Sequence, residues 1–219
     1  MQCITLPANF CKITESIDVL KQKVFPNITQ NYESHQWLST RAILAAKNID
    51  VNIINYNIQN EIPGETTTYT SIDTVVNQDQ VVNCPTEFLN SLDLLGMPPH
   101  VLTLKIGVPI ILLRNINPPR LCDGTRLSVK EMKNNVMEAT ILTGKFKDEN
   151  VLLPRVPMIP TDMPFEFKHL PFPLRLALAI IMYQQSTRTI VASVWIKFGE
   201  SMLLTWVALC GLLTRRKTF

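Results

Sequence analysis

The densest chemistry in this chain lies between Lys105 and Lys133. Six cations, Lys105, Arg114, Arg120, Arg126, Lys130 and Lys133, stand there against two carboxylates, Asp123 and Glu131. Basic residues at such spacing suit two tasks. They solvate an exposed β face, or they present donors to a phosphate-bearing surface. The net charge of the 219-residue chain is only +3. Any argument for a polyanionic partner therefore rests on where the charge is placed and not on its total.

Other constellations carry less. The cysteines at positions 3, 11, 84, 122 and 210 form no CxxC pair, and His35, His100 and His169 lie in separate segments far from them. That excludes a zinc signature and a disulfide framework, and it fits a reducing, intracellular compartment. Each histidine reads as structural or exposed. Asp162 and Glu166 flank Met163-Pro164-Phe165, but two carboxylates without further partners are thin grounds for acid–base catalysis. The sequence holds no G-x-x-x-x-G-K-[ST] phosphate loop and no serine-centred nucleophile elbow. Seven widely spaced glycines build no glycine-rich cradle. The residues taken by themselves define no complete active site and no metal site.

The elements that must position these residues follow from periodicity and punctuation. An apolar fraction of 46% with 18% charged residues suffices for a buried core. Residues 13–25 predict a short amphipathic helix ending before Pro26. "RAILAA" reads as a buried strand, and Val51, Ile54 and Ile58 then fall at helical spacing until Pro63-Gly64. A strand leading straight into a helix is the unit of a parallel α/β sheet. "TTTYTSIDTVV" is β-rich. Pro85 and Thr86 open a helix with Phe88, Leu89, Leu92 and Leu95 on one face, stopped by Gly96 and Pro98-Pro99. The next sixty or so residues read as short strands, "VLTLKIG", "VPIILLRN", "TRLSVKEM", "VMEATILTG" and "VLLPRVPMI", with turns at Asp123-Gly124 and residues 145–150. Short strands with tight turns predict a small β barrel. "PLRLALAIIMY" and "TIVASVWIKF" return to buried strands. Met202–Leu213 is apolar but too short to span a bilayer. It reads as a buried helix, with an interfacial anchor as the alternative because Arg215, Arg216 and Lys217 follow. The first residues lack the order of a signal peptide, and no membrane partner is expected.

With these elements in place, "PTEFLNSLDLLGMPPHVLTLKIGVPIILLRNINPPRLCDGTRLSV" resembles the C-terminal part of the PIF-one-like ATP-dependent DNA helicases, particularly the branch carried by Helitron transposons. The resemblance extends upstream to "WLSTRAILAAKNIDVNIINYNIQNEIPGE" and downstream through "EATILTGKFKDENVLLPRVPMIP". It implies an α/β fold: a RecA-like second motor lobe, a parallel sheet with helices, carrying a small β-barrel insertion called domain 2B. It divides the chain into an N-terminal helical extension (1–24), the first part of lobe 2A (25–83), a 2B-like region (84–165) and the remainder of lobe 2A with a degenerate C-terminus (166–219). Pro118-Pro119 stiffens the connection into the insertion, and Asp123-Gly124 supplies its turn.

The resemblance also sets expectations for chemistry. Intact relatives use ATP and Mg and bind single-stranded DNA. Here Arg114, Arg120, Arg126 and Lys130 are the candidate DNA-backbone contacts. The first lobe, which carries the phosphate loop and the Mg-binding acids, has no counterpart in this sequence. A family segment reading A-M-T-I-N-K-S-Q-G-Q-T corresponds to "AIIMYQQSTRT". Gln184 then stands for the lysine, Thr187 for the glycine and Arg188 for a glutamine, while Thr189 fits. The final family motif Y-V-A-L-S-R corresponds to "WVALCG", where Gly211 replaces the arginine that reaches the γ-phosphate. Losing such an arginine removes about 4 kcal/mol or more of transition-state stabilisation. The expectation is a helicase-derived chain that retains neither ATP nor Mg and binds single-stranded DNA weakly. A nuclear location is implied by the resemblance. The alternatives are a protein-interaction module, an inert transposon-derived remnant, or a half-enzyme completed in trans by a first motor lobe.

Overall fold

β1 (Arg41–Ala45) is apolar almost throughout, as its position requires. It lies between two parallel neighbours, β11 (Ala179–Ile181) and β12 (Ser193–Phe198), with Ile43 in register with Ala179 on one side and Trp195 on the other. A strand covered on both faces cannot alternate polar and apolar side chains. The computed structural model describes residues 16–45, 47–75, 85–92, 97–160, 163, 165 and 167–181, together with strands at 193–198 and 202–206. The last strand, β13 (Met202–Trp206), runs antiparallel to β12. Two expectations are corrected here. The sheet is mixed, in the order β11-β1-β12-β13, and the first part of the apolar run at 202–213 is strand, not helix. Twelve apolar residues do not by themselves separate a buried helix from a buried strand.

The helices before and after β1 cover this sheet. α1 (Ile17–Val24) is capped by Ser16, whose side chain accepts from the Val19 amide, and it buries Leu20 and Val24. Two short helices follow, α2 (Ile28–Asn31) and α3 (His35–Ser39). α4 (Asn48–Glu61) buries Val51, Ile54 and Ile58, the spacing expected from the sequence. Its Asn55 side chain is also buried. It donates to the Ala179 carbonyl at 2.9 Å and accepts from the Ala179 amide at 2.7 Å. One side chain thus substitutes for a strand neighbour along β11. Lys21 of α1 pairs with Glu61 of α4 at 2.5 Å.

After α4 the chain makes β2 (Thr67–Thr70) and β3 (Ile72–Val75), then α5 (Thr86–Asn90) and β4 (Val101–Leu104). β2 pairs with β4, and β3 pairs with β9 (Phe167–Leu170), both antiparallel. The predicted helix from Pro85 is real but short, with Pro85 itself as the N-cap; Leu95 and Gly96 lie outside the described residues. Between these ribbons sits a meander of β5 (Pro109–Leu112), β6 (Arg126–Met132), β7 (Val136–Ile141) and β8 (Asn150–Pro154), with β10 (Leu174–Leu176) added beside β5. Each sequence-predicted strand in this region appears. The predicted barrel does not: the order β10-β5-β6-β7-β8 leaves β8 and β10 as edges, and no described sheet closes on itself. β8 alternates exposed and buried residues, the pattern of a strand with one wet face.

The two sheets share one core. Leu20, Ile43, Ile54 and Ile58 of the α/β layer join Ile110, Leu112, Leu127, Leu153 and Leu174 of the meander in a single buried cluster. Gly107 permits the close approach. Its φ is +83°, and a Cβ there would lie 2.7 Å from the Tyr32 ring, so only glycine fits. Gly124 has φ +81° in the predicted Asp123-Gly124 turn, a conformation that glycine adopts without steric penalty. The peptide between Pro118 and Pro119 is cis.

Candidate nucleic-acid interface

Four cations were expected to face a phosphate backbone, and the fold separates them. Arg114 is exposed just beyond β5 and makes no hydrogen bond or ion pair among the described residues. Lys130 is exposed on β6 and paired with Glu138 of β7 at 2.7 Å. Arg120 is half-buried in the loop between β5 and β6. It bridges to the β7–β8 loop, pairing with Glu149 at 2.7 Å and donating to the Asn150 carbonyl at 3.1 Å.

Arg126 is the correction. It is 2% exposed, at the first position of β6, opposite Ile111. Its guanidinium donates to the carbonyls of Ser39 at 3.0 Å, Leu38 at 3.2 Å, Arg41 at 2.8 Å and Ala177 at 3.5 Å. Those carbonyls belong to the end of α3, the start of β1 and the link from β10 to β11. Burial pushes its pKa down to about 10, because an apolar surround disfavours the cation. This arginine fastens the meander to the α/β sheet, and its burial keeps it out of reach of a phosphate. Sequence reading missed it because a strand arginine looks solvated whichever face it occupies. The positions inferred as degenerate, Gln184, Thr187, Arg188, Thr189 and Gly211, lie outside the described residues, as do Asp162 and Glu166.

Arg120 opens onto a cleft of about 500 Å³ between the β5–β6 loop and the β7–β8 loop. Pro119, Arg120, Cys122, Asp123, Gly124 and Thr125 form one wall, and Ile141, Thr143, Gly144, Lys145 and Phe146 the other. The first wall is fixed from within: the Asp123 amide donates to Asn115 Oδ1 at 2.8 Å, and Thr125 Oγ1 donates to the Cys122 carbonyl at 2.6 Å. Lys145 is exposed, with Nζ 5.9 Å from the centroid of the Phe146 ring, which is itself half-buried. Lys147 stands nearby in sequence, 4.0 Å from Asp148. Lys145, Phe146 and Lys147 were read only as a turn. Cation-aromatic-cation after a glycine was the signal available in the sequence.

A second polar cluster forms where no motif suggested one. His100 and His169, which lie in separate segments and read as structural or exposed, converge on the Ser71–Asp73 pair. His169 Nδ1 lies 2.5 Å from Asp73 Oδ1 and its Nε2 lies 3.2 Å from the Pro98 carbonyl oxygen. Ser71 donates to Asp73 Oδ2 at 2.9 Å and lies 2.6 Å from His100 Nδ1. The cluster staples β3, β9 and the approach to β4. Its residues do not line the cleft, and among the described residues no group of three or more His, Cys, Asp or Glu is placed to hold a metal ion.

Comparison with known proteins gives this arrangement a context. Residues 87–132 match the family model described as the DNA helicase Pif1, 2B domain. No curated protein sequence matches the chain. Among solved structures, the Pif1 helicase from Candida albicans is similar with a TM-score of 0.52 at 18% identity, covering 82% of this chain and 46% of that one. A structure describing DNA unwinding at forked double-stranded DNA by two coordinating Pif1 helicases gives 0.53 at 16% identity, covering 82% and 39%. Pif1 from Bacteroides with ADP-AlF3 and single-stranded DNA gives 0.50 at 17% identity, covering 82% and 38%. The chain thus spans less than half the length of these structures. The cleft, Arg114, Arg120, Arg126 and Lys130 all belong in whole or part to the matched region or border it. The chain therefore shares its fold with part of these Pif1 helicase structures, and residues 87–132 are the segment similar to the 2B domain.

Proposed function

We propose that this chain binds single-stranded DNA through the loop end of its 2B domain, and that it does not hydrolyse ATP on its own. The observation that supports the reading is the 2B match at residues 87–132 overlapping a cleft lined by Arg120 and Lys145, with the exposed Arg114 on the same β5–β6 loop as Arg120. Arg114 and Lys145 are exposed and make no ion pair among the described residues, so their charge is available to a backbone phosphate. The chain's own residues do not fit a nucleotide triphosphate. The sequence has no phosphate loop, and Gln184, Thr187 and Gly211 replace the lysine, glycine and arginine that the family resemblance places there. Descent from the Helitron-carried branch, a boundary for the 2B region at residues 84–165, and a nuclear location belong to the same proposal.

Anisotropy of a labelled single strand, at two salt concentrations, with ATP turnover assayed on the same sample, tests the reading. Salt-sensitive binding without turnover supports it. No binding at low salt sinks it, and turnover that survives repurification overturns the view of the lost motifs. A second reading, a protein-interaction module, is favoured by the outer face of α4. Ile49, Ile53 and Tyr56 fall at i, i+4 and i+7, and Tyr56 is 63% exposed, so an apolar stripe faces solvent. Concentration-dependent self-association or capture of a first motor lobe, without strand binding, would favour it.

A further inference from the structure

We infer that the cleft between the β5–β6 and β7–β8 loops takes one unstacked base of the bound strand, and that Asp123 selects bases carrying an exocyclic amino group. The inference rests on the strand-binding reading and deepens it.

The cleft's volume, about 500 Å³, falls within the range of about 300–1,000 Å³ typical of sites for small organic ligands. It is larger than a bare phosphate requires, and its walls are not those of a phosphate site. Phe146 offers part of an aromatic ring and Ile141 and Pro119 add apolar surface. Aromatic side chains hold unstacked bases because every base has a π face. The polar groups divide by sign. Lys145 stands beside the Phe146 ring, where it meets the negative phosphates flanking an inserted base. Asp123 lines the opposite wall, exposed, with its carboxylate unpaired among the described residues. A carboxylate repels phosphate and accepts from an amino group. Cytosine N4 is such a donor, and thymine has none at the same position.

The walls are held apart before any ligand arrives. Arg120 spans from one loop to Glu149 and the Asn150 carbonyl on the other. Asn115 fixes the Asp123 amide, and Thr125 closes its own turn on Cys122. A site held in this way loses little freedom on binding. Neither the charge of the strand nor the 2B match requires a base pocket or a preference among bases. Both come from the side chains of these two loops.

The test uses the full chain and strands of about a dozen nucleotides, a length suited to one small binding module. Labelled oligo-dC, oligo-dT and an abasic strand of equal length are titrated by anisotropy, with dCMP as a separate probe. The inference expects oligo-dC to bind about fivefold more tightly than oligo-dT, and the abasic strand to bind at least about fivefold more weakly than oligo-dC. Asp123→Ala should erase the preference for oligo-dC while binding oligo-dT at least as tightly as the parent does, since the lost carboxylate accepts nothing from thymine and no longer repels phosphate. Phe146→Leu should weaken both base-bearing strands toward the abasic level. Equal binding of all three strands overturns the base pocket and leaves electrostatic strand binding intact. Binding of dCMP alone as tight as oligo-dC overturns it too, in favour of a free-nucleotide site. Binding of no probe overturns the strand-binding reading, and the pocket with it.

Discussion

Arg126 shows how far one side chain's role depends on where the chain puts it. Its guanidinium satisfies four carbonyls from three segments. Replacing it with Met removes the donors and leaves those carbonyls facing a greasy side chain. Truncating a buried, hydrogen-bonded charge typically costs about 3–5 kcal/mol, and Arg126→Met offsets part of that by removing the charge itself. A loss of about 3 kcal/mol is expected in urea unfolding. Arg126→Lys keeps the charge but not the planar fork, and should also destabilise. Arg114→Glu, by contrast, should leave unfolding unchanged within about 0.5 kcal/mol and weaken strand binding. The alkaline behaviour has a definite sign. Burial holds the folded pKa of Arg126 down at about 10, below its ordinary value, so deprotonation favours the folded state as pH rises above that point. Lys21 shifts the other way. Glu61, and then Asp18, hold its pKa above 10.5 against a weaker opposing effect of burial. Its contribution is therefore complete below pH 10.5 and is lost as pH rises through the raised folded value. Glu61→Gln should cost about 0.5–1 kcal/mol at neutral pH. The difference from the parent should vanish in strongly alkaline solution, as measured by denaturant unfolding at stepped pH.

At the scale of elements, two polar devices support strands whose own ladders are short. Asn55 on α4 closes both hydrogen bonds of Ala179, extending β11 where the strand is only three residues long. Asn55→Ala leaves a buried amide and a buried carbonyl without partners. A cost of about 2–3 kcal/mol follows, and hydrogen exchange at the Ala179 amide should accelerate more than exchange in β6. The Asp73 staple works on β3 and β9, which form a two-stranded ribbon. Asp73→Ala strips the acceptor from His169 and Ser71 together. Because members of a buried network depend on one another, the double variant Asp73→Ala with His169→Ala should cost less than the sum of the singles. A double-mutant cycle checks this, with additivity the outcome that would refute the staple.

For the whole molecule, the shared core means that the meander and the α/β layer unfold together. Ile58 of α4 and Leu127 of β6 are both fully buried in the same cluster. Either one replaced by Ala should cost about 2–5 kcal/mol, and the two layers should still melt in one transition when followed by tryptophan fluorescence and by hydrogen exchange in β7. The proposed strand binding also belongs to the assembled surface. Each phosphate contact removed should lower the dependence of log affinity on log salt by about 0.7 for a single strand. Arg114→Glu and Lys145→Glu should each reduce that slope. Lys130→Glu should reduce it less, because Lys130 is already paired with Glu138.

The local order of this chain was legible from its residues. The strand "RAILA", the helix carrying Val51, Ile54 and Ile58, and the strands from Val101 to Pro154 all declare themselves through apolar spacing and turn residues. Those signals act over a few positions, where pattern and backbone sterics suffice. The resemblance carried by residues 85–129 likewise rested on contiguous sequence. What only the tertiary structure decided is which groups meet. Burial of Arg126 depends on carbonyls about 85 positions away in α3 and β1. The meeting of His100 and His169 on Asp73 depends on β3 pairing with β9 across 96 positions. The open edge at β8 depends on β10 pairing with β5 and not with β8. A side chain's type states what it can bond, and the sequence shows its neighbours along the chain. Its partner across the fold is set by packing, and that decided which cations fasten the core and which are left facing solvent.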